Sequence, residues 1–337
     1  MSDKNKDIIY MSRCIEIANK AKGRTHPNPN VGCIIVYNKK IISEGYSSNH
    51  GGPHAEVNAI NNVKDKELLK SSTLYVTLEP CSHFGKTPPC CRLITKYKIP
   101  KVVIGACDIS SKVNGKGINH LKKHNTNVVV GVLETRCKEL HKTFLHFNKN
   151  KKPYVILKWA ETKDLFMSPE FKNETKPFWI SCKESRQLVH KWRSEEHSIL
   201  VGHNTVIADD PILNVRDFSG NNPIRIVIDK ENKLKKSYKI FNTESKTIVI
   251  NKKIINFSLN NSNEICKFLY KKNIQSVIIE GGKKTLEDFI NSENWDEARI
   301  FKSKTLLKNG LKAPEIFGKV ISKTKIGIDK LTIMKPL

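Results

Sequence analysis

The hydrophobic pattern of the first half of the chain alternates between helical and strand periodicity. Ile8, Met11, Ile15 and Ala18 recur at helical spacing and predict a helix over residues 7–22. The apolar runs that follow are short and bounded by turn residues, which is typical of strands. Such alternation predicts an α/β layer with a mostly parallel sheet. The predicted strands are 31–38, 40–46, 72–80, 101–108 and 126–132, and the further helices are 54–62, 90–98, 117–124 and 134–147.

A charged run, NKNKKP at 148–153, interrupts this pattern before it restarts. We place a domain boundary there and expect domains at 1–149 and 150–337, because few contacts cross such polar segments. The second half is again predicted to be α/β with its own core. Its predicted strands are 153–161, 197–202, 224–229, 246–251 and 275–282, with helices at 183–194 and 283–290.

The net charge of +26 raises the question of a nucleic-acid partner. Only nine of the 59 basic residues are Arg, and the 50 Lys are spread through every segment among Asn and Ile. Nucleic-acid readers rely on the bidentate guanidinium and on aromatic stacking, yet aromatic residues make up 7% of this chain. We therefore attribute the charge to compositional drift and expect a weak, non-specific affinity for polyanions.

The cysteines and the apolar runs indicate the class of protein. Nine Cys at irregular spacing argue against a disulfide framework. No run approaches the ~18 apolar residues of a membrane helix, and the N-terminus lacks the pattern of a signal peptide. We expect a cytoplasmic globular protein that acts on a small molecule, with no membrane partner, and we expect a homo-oligomer.

Two short segments carry a metal-site pattern. The first is HAE at 54–56, at the start of a predicted helix, and the second is Cys81 with Cys90, also at a helix start. One imidazole and two thiolates are good Zn²⁺ ligands that leave a fourth position for water. Glu56 is too close in sequence to His54 to be a natural fourth ligand and is suited to moving protons. This layout is that of zinc-dependent base deaminases, with six additional residues between the cysteines.

Two other interpretations stay open at this point. The chain could be a nucleic-acid base deaminase, such as one acting on tRNA, with a basic accessory domain. It could also be a non-catalytic module organised by zinc, although such sites normally have four protein ligands. Participation of Cys91 or His50 is also open, although the side chain of Cys91 should point away from its neighbour's.

The motifs together resemble a known family. PCSHFGKTPPC (80–90), HAE (54–56) and HPNPNVG (26–32) look like the deaminase half of the bifunctional deaminase–reductases of riboflavin biosynthesis. The resemblance continues through KWRSEEHSILVGHNTVIADDPILNVR (191–216), PIRIVID (223–229) and IIEGGKKTL (278–286), so it covers nearly the whole chain.

The resemblance implies a fold and an activity for each half. The first domain would have the three-layer fold of cytidine deaminases and would remove an amino group from a diaminopyrimidinone that carries a phosphoribosylamino arm. The second would resemble dihydrofolate reductase and would use NADPH to reduce the ribosyl unit to a ribityl chain.

The resemblance also implies roles for individual residues. In the first domain His54, Cys81 and Cys90 match the zinc ligands, Glu56 the proton carrier, and Asn28, Lys86 and Asp108 the substrate contacts. In the second domain the positions that match substrate contacts are Lys158, Arg193, Leu213, Arg216 and Glu280. The positions that match cofactor contacts are Ala160, Trp179, Thr205, Asp209, Gly281, Gly282, Lys283, Lys284, Thr285 and Leu286.

The chain departs from the family pattern mainly in the second half. Leu165 and Lys308 stand where a glycine is expected, and Pro177 and Lys230 stand where a serine is expected. In the first half Ser47 stands where a histidine is expected. A single-activity deaminase with a vestigial reductase domain is therefore kept as an alternative.

Overall fold

The computed structural model describes residues 3–84, 88–110, 113–170, 178–257 and 261–337. The chain divides into two compact units, Met1–Asn150 and Lys151–Leu337. Each unit is built on its own sheet, so the α/β class expected for both halves is confirmed. Within the described ranges, no helix has the length and apolar character needed to cross a membrane.

The first unit is a five-stranded sheet covered by helices, with strand order β2-β1-β3-β4-β5. Met11 and Ile60 from two of the helices pack against Ile34, Leu74 and Val102 of the sheet in one fully buried core. Its elements are α1 (Asp3–Ala18), β1 (Gly32–Tyr37), β2 (Lys40–Tyr46), α2 (Ala55–Asn62), β3 (Thr73–Leu78), α3 (Cys90–Lys96), β4 (Lys101–Ala106), α4 (Lys116–Lys123), β5 (Asn127–Val130), α5 (Glu134–Leu140) and α6 (Lys142–Asn150).

The expectation of a mostly parallel sheet is wrong for this unit. Strand β1 is antiparallel to both of its neighbours, β2 and β3, whereas β3, β4 and β5 run parallel. Strands β1 and β2 are joined by the two residues Asn38 and Lys39, both with positive φ (45° and 62°). A two-residue connection of this type makes a hairpin and cannot make a parallel crossover.

The second unit contains an eight-stranded sheet with order β10-β9-β8-β11-β6-β12-β15-β14. The strands from β10 to β12 run parallel, and β15 and β14 close the edge as an antiparallel hairpin. A separate ribbon pairs β7 with β13. The elements are β6 (Tyr154–Glu161), β7 (Phe166–Ser168), α7 (Lys183–Glu195), β8 (Ser198–Gly202), α8 (His203–Asp209), β9 (Ile224–Ile228), β10 (Thr247–Ile250), α9 (Asn261–Lys271), β11 (Ser276–Ile279), α10 (Lys283–Asn291), β12 (Glu297–Lys302), β13 (Leu311–Lys312), β14 (Lys319–Ile326) and β15 (Asp329–Lys335).

Both faces of this sheet are buried by separate cores. Leu157 and Trp159 of β6 point into one core with Val277 and Ala298, which we call the α10 face because Leu286 and Phe289 of that helix pack there. The alternate residues Tyr154 and Ile156 point into the other core with Trp192 of α7, which we call the α7 face. A parallel strand buried on both faces has a continuous apolar run, which is why its position could be predicted from the sequence.

Two of the departures from the family pattern lie at left-handed backbone positions. Leu165 has φ 69° and Lys308 has φ 63°, a region that glycine adopts at little cost. The two segments are held together because the carboxylate of Asp164 accepts hydrogen bonds from the N–H of Lys308 at 2.8 Å and the hydroxyl of Thr162 at 2.6 Å. The chain therefore keeps the turn geometry expected of glycine at both places.

We predict that Leu165→Gly stabilises the second unit. A left-handed residue other than glycine costs about 1–2 kcal/mol, and the added entropy of glycine in the unfolded chain offsets about 0.5–1 kcal/mol of the gain. The expected rise in the free energy of unfolding is up to about 1 kcal/mol, measured by urea unfolding. The control is Leu306→Gly, at an exposed leucine without positive φ, which should destabilise; equal effects of the two variants would contradict the prediction.

Candidate active sites

The first site lies where two helices of the first unit begin. His54 is the residue that precedes α2, and Cys90 is the first residue of α3. Cys81 follows β3 after a short segment, and its Sγ accepts a hydrogen bond from the N–H of Cys90 at 3.3 Å. A helix N-terminus carries partial positive charge and free N–H groups, which favour a thiolate at this place.

The geometry of the three side chains fits a tetrahedral zinc ion. The ligand atoms of His54, Cys81 and Cys90 lie within 4.8 Å of one another. His54 Nδ1 is 3.5 Å from Cys81 Sγ and 3.4 Å from Cys90 Sγ. Zn–S bonds of about 2.3 Å and a Zn–N bond of about 2.0 Å at tetrahedral angles place nitrogen and sulfur about 3.5 Å apart.

One thiol of this cluster carries a negative charge in the absence of a metal. Hydrogen bonds from Cys90 and His54 lower the pKa of the Cys81 thiol to about 4, whereas the hydrogen bond to Cys81 and burial raise the pKa of the Cys90 thiol well above its ordinary value. Glu56 is almost completely buried beside the cluster, where burial raises the pKa of its carboxyl to about 7. A bound cation lowers the pKa of a neighbouring carboxyl.

Neither Cys91 nor His50 belongs to this cluster in the part of the chain that the structure describes. The side chain of Cys91 is buried in the hydrophobic core, where burial raises its pKa to about 11. His50 is exposed and lines a cavity of about 390 Å³ with Arg24 and Ser48.

Glu79 is a residue that the sequence analysis missed. It follows β3 directly, is buried, and its two carboxylate oxygens accept hydrogen bonds from the N–H groups of Gly115, Gly117 and Ile118 at 3.0–3.2 Å. It also accepts a bond from the N–H of Asp108. The carboxylate therefore ties the loop after β4 and the start of α4 to the segment that carries Cys81. A glutamate at the end of an otherwise apolar strand was the available signal.

The three residues predicted to contact substrate in the first unit differ in burial and in whether the structure describes them. Asp108 is buried just after β4, and its carboxylate accepts a hydrogen bond from the N–H of Ser110 at 2.7 Å. Asn28 is half-buried in the loop before β1. The hydroxyl of Ser47 holds the backbone of this loop, because it accepts a hydrogen bond from the N–H of Val31 and donates one to the carbonyl of Pro29, both at 3.0 Å. Lys86 lies outside the described residues.

A mostly buried ion triad joins three segments of the second unit. Glu280, directly after β11, accepts from Lys158 Nζ of β6 at 2.7 Å and from Arg193 Nη2 of α7 at 2.5 Å. Burial would raise the pKa of this carboxyl, but the two cations outweigh it and hold the pKa at about 2. The sequence predicted all three residues as substrate contacts, and the structure brings them together.

Two guanidinium groups meet beside this triad. Arg193 Nη1 donates to the carbonyl of Asn214 and Arg216 Nη1 donates to its side-chain oxygen, each at 3.2 Å. Burial and the charge of Arg193 lower the pKa of Arg216. Leu213 is buried next to them at a positive φ of 57°. Two neighbouring guanidinium groups that are partly shielded from water can bind a phosphate group through paired hydrogen-bond donors.

The Gly281–Gly282 pair forms the second predicted cluster. Gly281 and Gly282 have φ of 143° and 69°, and α10 begins directly after them. A Cβ added to either glycine would lie within 3.2 Å of the Thr205 side chain, and one on Gly282 would also lie 3.6 Å from Thr285 Oγ1. The open backbone at a helix N-terminus is the arrangement that binds the phosphates of a dinucleotide.

The other predicted cofactor residues lie on the same elements with one difference. Ala160 is near the end of β6, Asp209 ends α8, and the half-exposed Trp179 stacks on Arg186 at 4.6 Å. Leu286 differs because its side chain is fully buried in the core and its N–H bonds to Gly282, so neither group is available to a cofactor. The first turn of α10 is formed by Lys283, Lys284 and Thr285, which come before Leu286 in the helix.

The fold and the two sites define a class: a two-domain α/β enzyme with a zinc deaminase unit and a reductase unit. Comparisons with known proteins agree with this. Residues 4–106 match the family model for the cytidine and deoxycytidylate deaminase zinc-binding region, and residues 153–328 match the model for the RibD C-terminal domain.

Relatives of the whole chain identify the family. The riboflavin biosynthesis protein RibD of Aquifex aeolicus is 39% identical over 324 residues, covering 90% of this chain and 89% of that protein. RibD of Escherichia coli is 36% identical over 254 residues, with coverages of 72% and 68%. The crystal structure of a diaminohydroxyphosphoribosylaminopyrimidine deaminase/5-amino-6-(5-phosphoribosylamino)uracil reductase from Thermotoga maritima has 33% identity, full coverage of both chains and a TM-score of 0.90.

The chain belongs to the RibD family, the bifunctional deaminase–reductases of riboflavin biosynthesis. It is an enzyme with deaminase and reductase activities, it acts on a small molecule, and it uses zinc and NADPH.

We predict that Glu280 makes the stability of the second unit depend on acidic pH. Its folded pKa of about 2 lies below the ordinary value of 4.5, so its contribution is complete above pH 4.5 and is lost as pH falls towards 2. The difference in unfolding free energy between wild type and Glu280→Gln should shrink by about 2 kcal/mol from pH 6 to pH 3.

Urea unfolding followed by tryptophan fluorescence measures this directly, because all four Trp lie in the second unit. The control is Glu315→Gln, at an exposed glutamate without an ion pair among the described residues. A Glu280→Gln difference that stays constant with pH would show that the triad is not ionised as described.

Proposed function

We propose that His54, Cys81 and Cys90 hold the zinc ion and that Glu56 carries the proton in deamination. The observation that carries this proposal is a three-ligand cluster of tetrahedral dimensions with a buried carboxylate two residues from one ligand. A structural zinc site normally has four protein ligands and has no use for such a carboxylate. The non-catalytic module is therefore disfavoured.

Hydrolytic removal of an amino group needs a nucleophilic water and a proton for the departing nitrogen. Zinc, when bound, supplies the Lewis acidity that makes water a nucleophile near neutral pH. Glu56 accepts the proton that the water loses and donates it to the leaving nitrogen, which is the role of a general acid–base group held beside the reacting atoms. Burial keeps bulk water from competing for that proton.

We propose that Asn28, Lys86 and Asp108 orient the pyrimidine substrate in the first unit. Asp108 has the clearest support because Glu79 binds its backbone and Ser110 binds its carboxylate. A carboxylate fixed in this way is preorganised and does not need to reorient when substrate binds. Glu79 acts as a positioning residue for this loop.

In the second unit we propose that Lys158, Arg193, Leu213, Arg216 and Glu280 bind the ribosyl phosphate part of the substrate. Glu280 fixes the ends of Lys158 and Arg193, and the two arginines present paired donors to phosphate. NADPH, when bound, supplies the hydride. Its phosphates are held by the backbone at Gly281 and Gly282 and by Thr205, with Ala160, Trp179, Asp209, Lys283, Lys284 and Thr285 around it.

We propose that the two reactions are those for which the Thermotoga maritima enzyme is named. The first unit deaminates the diaminopyrimidine, and the second reduces the ribosyl unit of the product. The complete Glu280 triad and the open Gly281–Gly282 turn support an active reductase and disfavour a vestigial one. The phosphate on the substrate gives both units an anionic group to bind.

We further propose a cytoplasmic homo-oligomer that has no specific nucleic-acid partner. Nine unpaired thiols suit a reducing compartment. The edge strand β14 exposes Val320 and Ile321, next to a Phe317 that is 80% exposed, which suits contact with a second copy. In the second unit, the guanidiniums of Arg225 and Arg299 are bound within the fold, so they are not free to read bases.

We predict that Glu56→Gln abolishes deamination and leaves the metal site intact. The amide keeps the shape of the side chain but cannot accept a proton, so the rate should fall at least ~100-fold. Zinc should stay near one ion per chain, measured by atomic absorption. Reduction of pre-deaminated substrate by NADPH should be unchanged, with products identified by mass.

Cys81→Ser is the contrasting variant, because it removes a ligand. It should lose zinc and part of the order around the starts of α2 and α3. A Glu56→Gln protein that retains zinc and deaminates near the wild-type rate would refute the proton-transfer role.

We predict that Gly282→Val weakens NADPH binding at least ~10-fold. A side chain there is strained at φ 69° and meets Thr205 in the space that we assign to the cofactor. Binding is measured by quenching of tryptophan fluorescence, without turnover. Gly131→Val is the matched control, since Gly131 also has positive φ (92°) but lies in open space in the first unit. Deamination by Gly282→Val should be normal, and equal NADPH affinity of the two variants would oppose the assignment.

A further inference from the structure

A second basic cavity lies in the reductase unit at the end of the sheet formed by β12, β15 and β14. It has a volume of about 430 Å³ and is lined by residues from the loop after β6, the end of β12 and the β14–β15 hairpin. Six of its ten lining residues are lysine, although lysine makes up only 50 of the 337 residues of the chain. The lysines are Lys163, Lys302, Lys304, Lys323, Lys325 and Lys330.

Three of these lysines stand side by side across neighbouring strands. Lys330 of β15 is directly opposite Lys302 of β12 on one side and Lys325 of β14 on the other. Directly opposed residues share a face of the sheet, and like charges in such pairs repel. Compositional drift explains an abundance of lysines, but it does not explain their alignment in one row around a cavity.

Acidic side chains do not neutralise this group. Among the described residues, only Lys302 has an acidic partner, Glu161, at 4.0 Å. Asp329 lines the cavity and is 1% exposed, but its Oδ2 already accepts from the N–H of Cys182 and the hydroxyl of Ser185. Its Oδ1 is buried and has no hydrogen-bond partner in the described part of the chain. Asp329 therefore faces the start of α7, on the other side of the sheet from Lys330, and the cavity offers several cations with little neutralising charge.

The lysine row lies on the opposite face of the sheet from the Glu280 triad. Lys302 is in register with Glu161 of β6, two positions from Trp159, whose side chain is in the α10-face core. Lys158 alternates with Trp159 and so belongs to the α7 face. Because the face alternates with every residue along a strand, the two basic clusters are separated by the sheet itself.

We propose that this cavity is a second ligand site, which binds a small organic phosphate ester. The lysine ammonium groups bind the phosphate, and the lysine stems with Ile328 contact the organic part of the same molecule. The volume is in the range of small-molecule sites, and the lining surface is mostly carbon, from Ile328 and the lysine stems. A nucleic acid is less suited, since the lining contains no arginine and no aromatic residue.

Because the Glu280 site is itself proposed to bind a ribosyl phosphate, every protein in this experiment carries Arg216→Gln, which weakens phosphate binding there. The full-length Arg216→Gln protein, saturated with NADP⁺ to fill the cofactor site, is titrated with ribose 5-phosphate and with ribose by calorimetry. It should bind ribose 5-phosphate at submillimolar concentration, more weakly as salt rises, and should not bind ribose. Adding Lys325→Gln/Lys330→Gln should weaken binding at least ~10-fold, whereas the matched pair Lys122→Gln/Lys123→Gln, at exposed positions of α4 in the first unit, should leave it unchanged.

The double variant removes like-charge repulsion, so it should fold at least as well as wild type, which thermal unfolding checks. Equal affinity of both double variants for ribose 5-phosphate would overturn the proposal, as would equal binding of ribose and its phosphate. A short single-stranded RNA that binds more tightly than ribose 5-phosphate, and only when Lys325 and Lys330 are present, would also overturn it in favour of a nucleic-acid surface.

Discussion

The deaminase site forms because two helices begin close to the end of one buried strand. His54 precedes α2, Cys90 begins α3, and the N–H of Cys90 binds the sulfur of Cys81. Because the two helix starts bring Cys90 and His54 to Cys81, their hydrogen bonds lower the pKa of the Cys81 thiol and keep it a thiolate even before a metal binds. The distances among the ligand atoms then follow from the backbone, and Glu56 is brought to the site by the first turn of α2.

In the reductase unit, side chains from separate elements are likewise held at one place, here by ion pairs. Lys158, Arg193 and Glu280 come from a strand, a helix and a strand end, and each can be mostly withdrawn from water because the others neutralise it. Breaking such a triad leaves an unpaired buried charge, which costs far more than losing a surface ion pair. The cations of this triad cannot turn away into solvent, which suits the anionic substrate that we propose for it.

The departures of this chain from the family pattern mostly preserve geometry while changing chemistry. Leu165 and Lys308 keep the left-handed backbone expected of glycine, supported by hydrogen bonds to Asp164. Ser47 cannot act as a histidine would, yet it holds the loop that carries Asn28. The abundance of lysine is neutral over most of the surface, but in the β12–β15–β14 row it creates a local concentration of charge.

The sequence alone determined the α/β class and the positions of the apolar strands of the second unit, and it predicted the cluster of His54, Cys81, Cys90 and Glu56, because apolar runs and short-range motifs act locally. It did not reveal that β1 is antiparallel to both neighbours, since strand direction depends on how the chain returns to the sheet. Nor did it reveal the β14–β15 hairpin, whose exposed edge strand has no apolar alternation. Glu79 and the lysine row needed the tertiary structure, because their partners are brought together only by strand register and by loops that are distant in the chain.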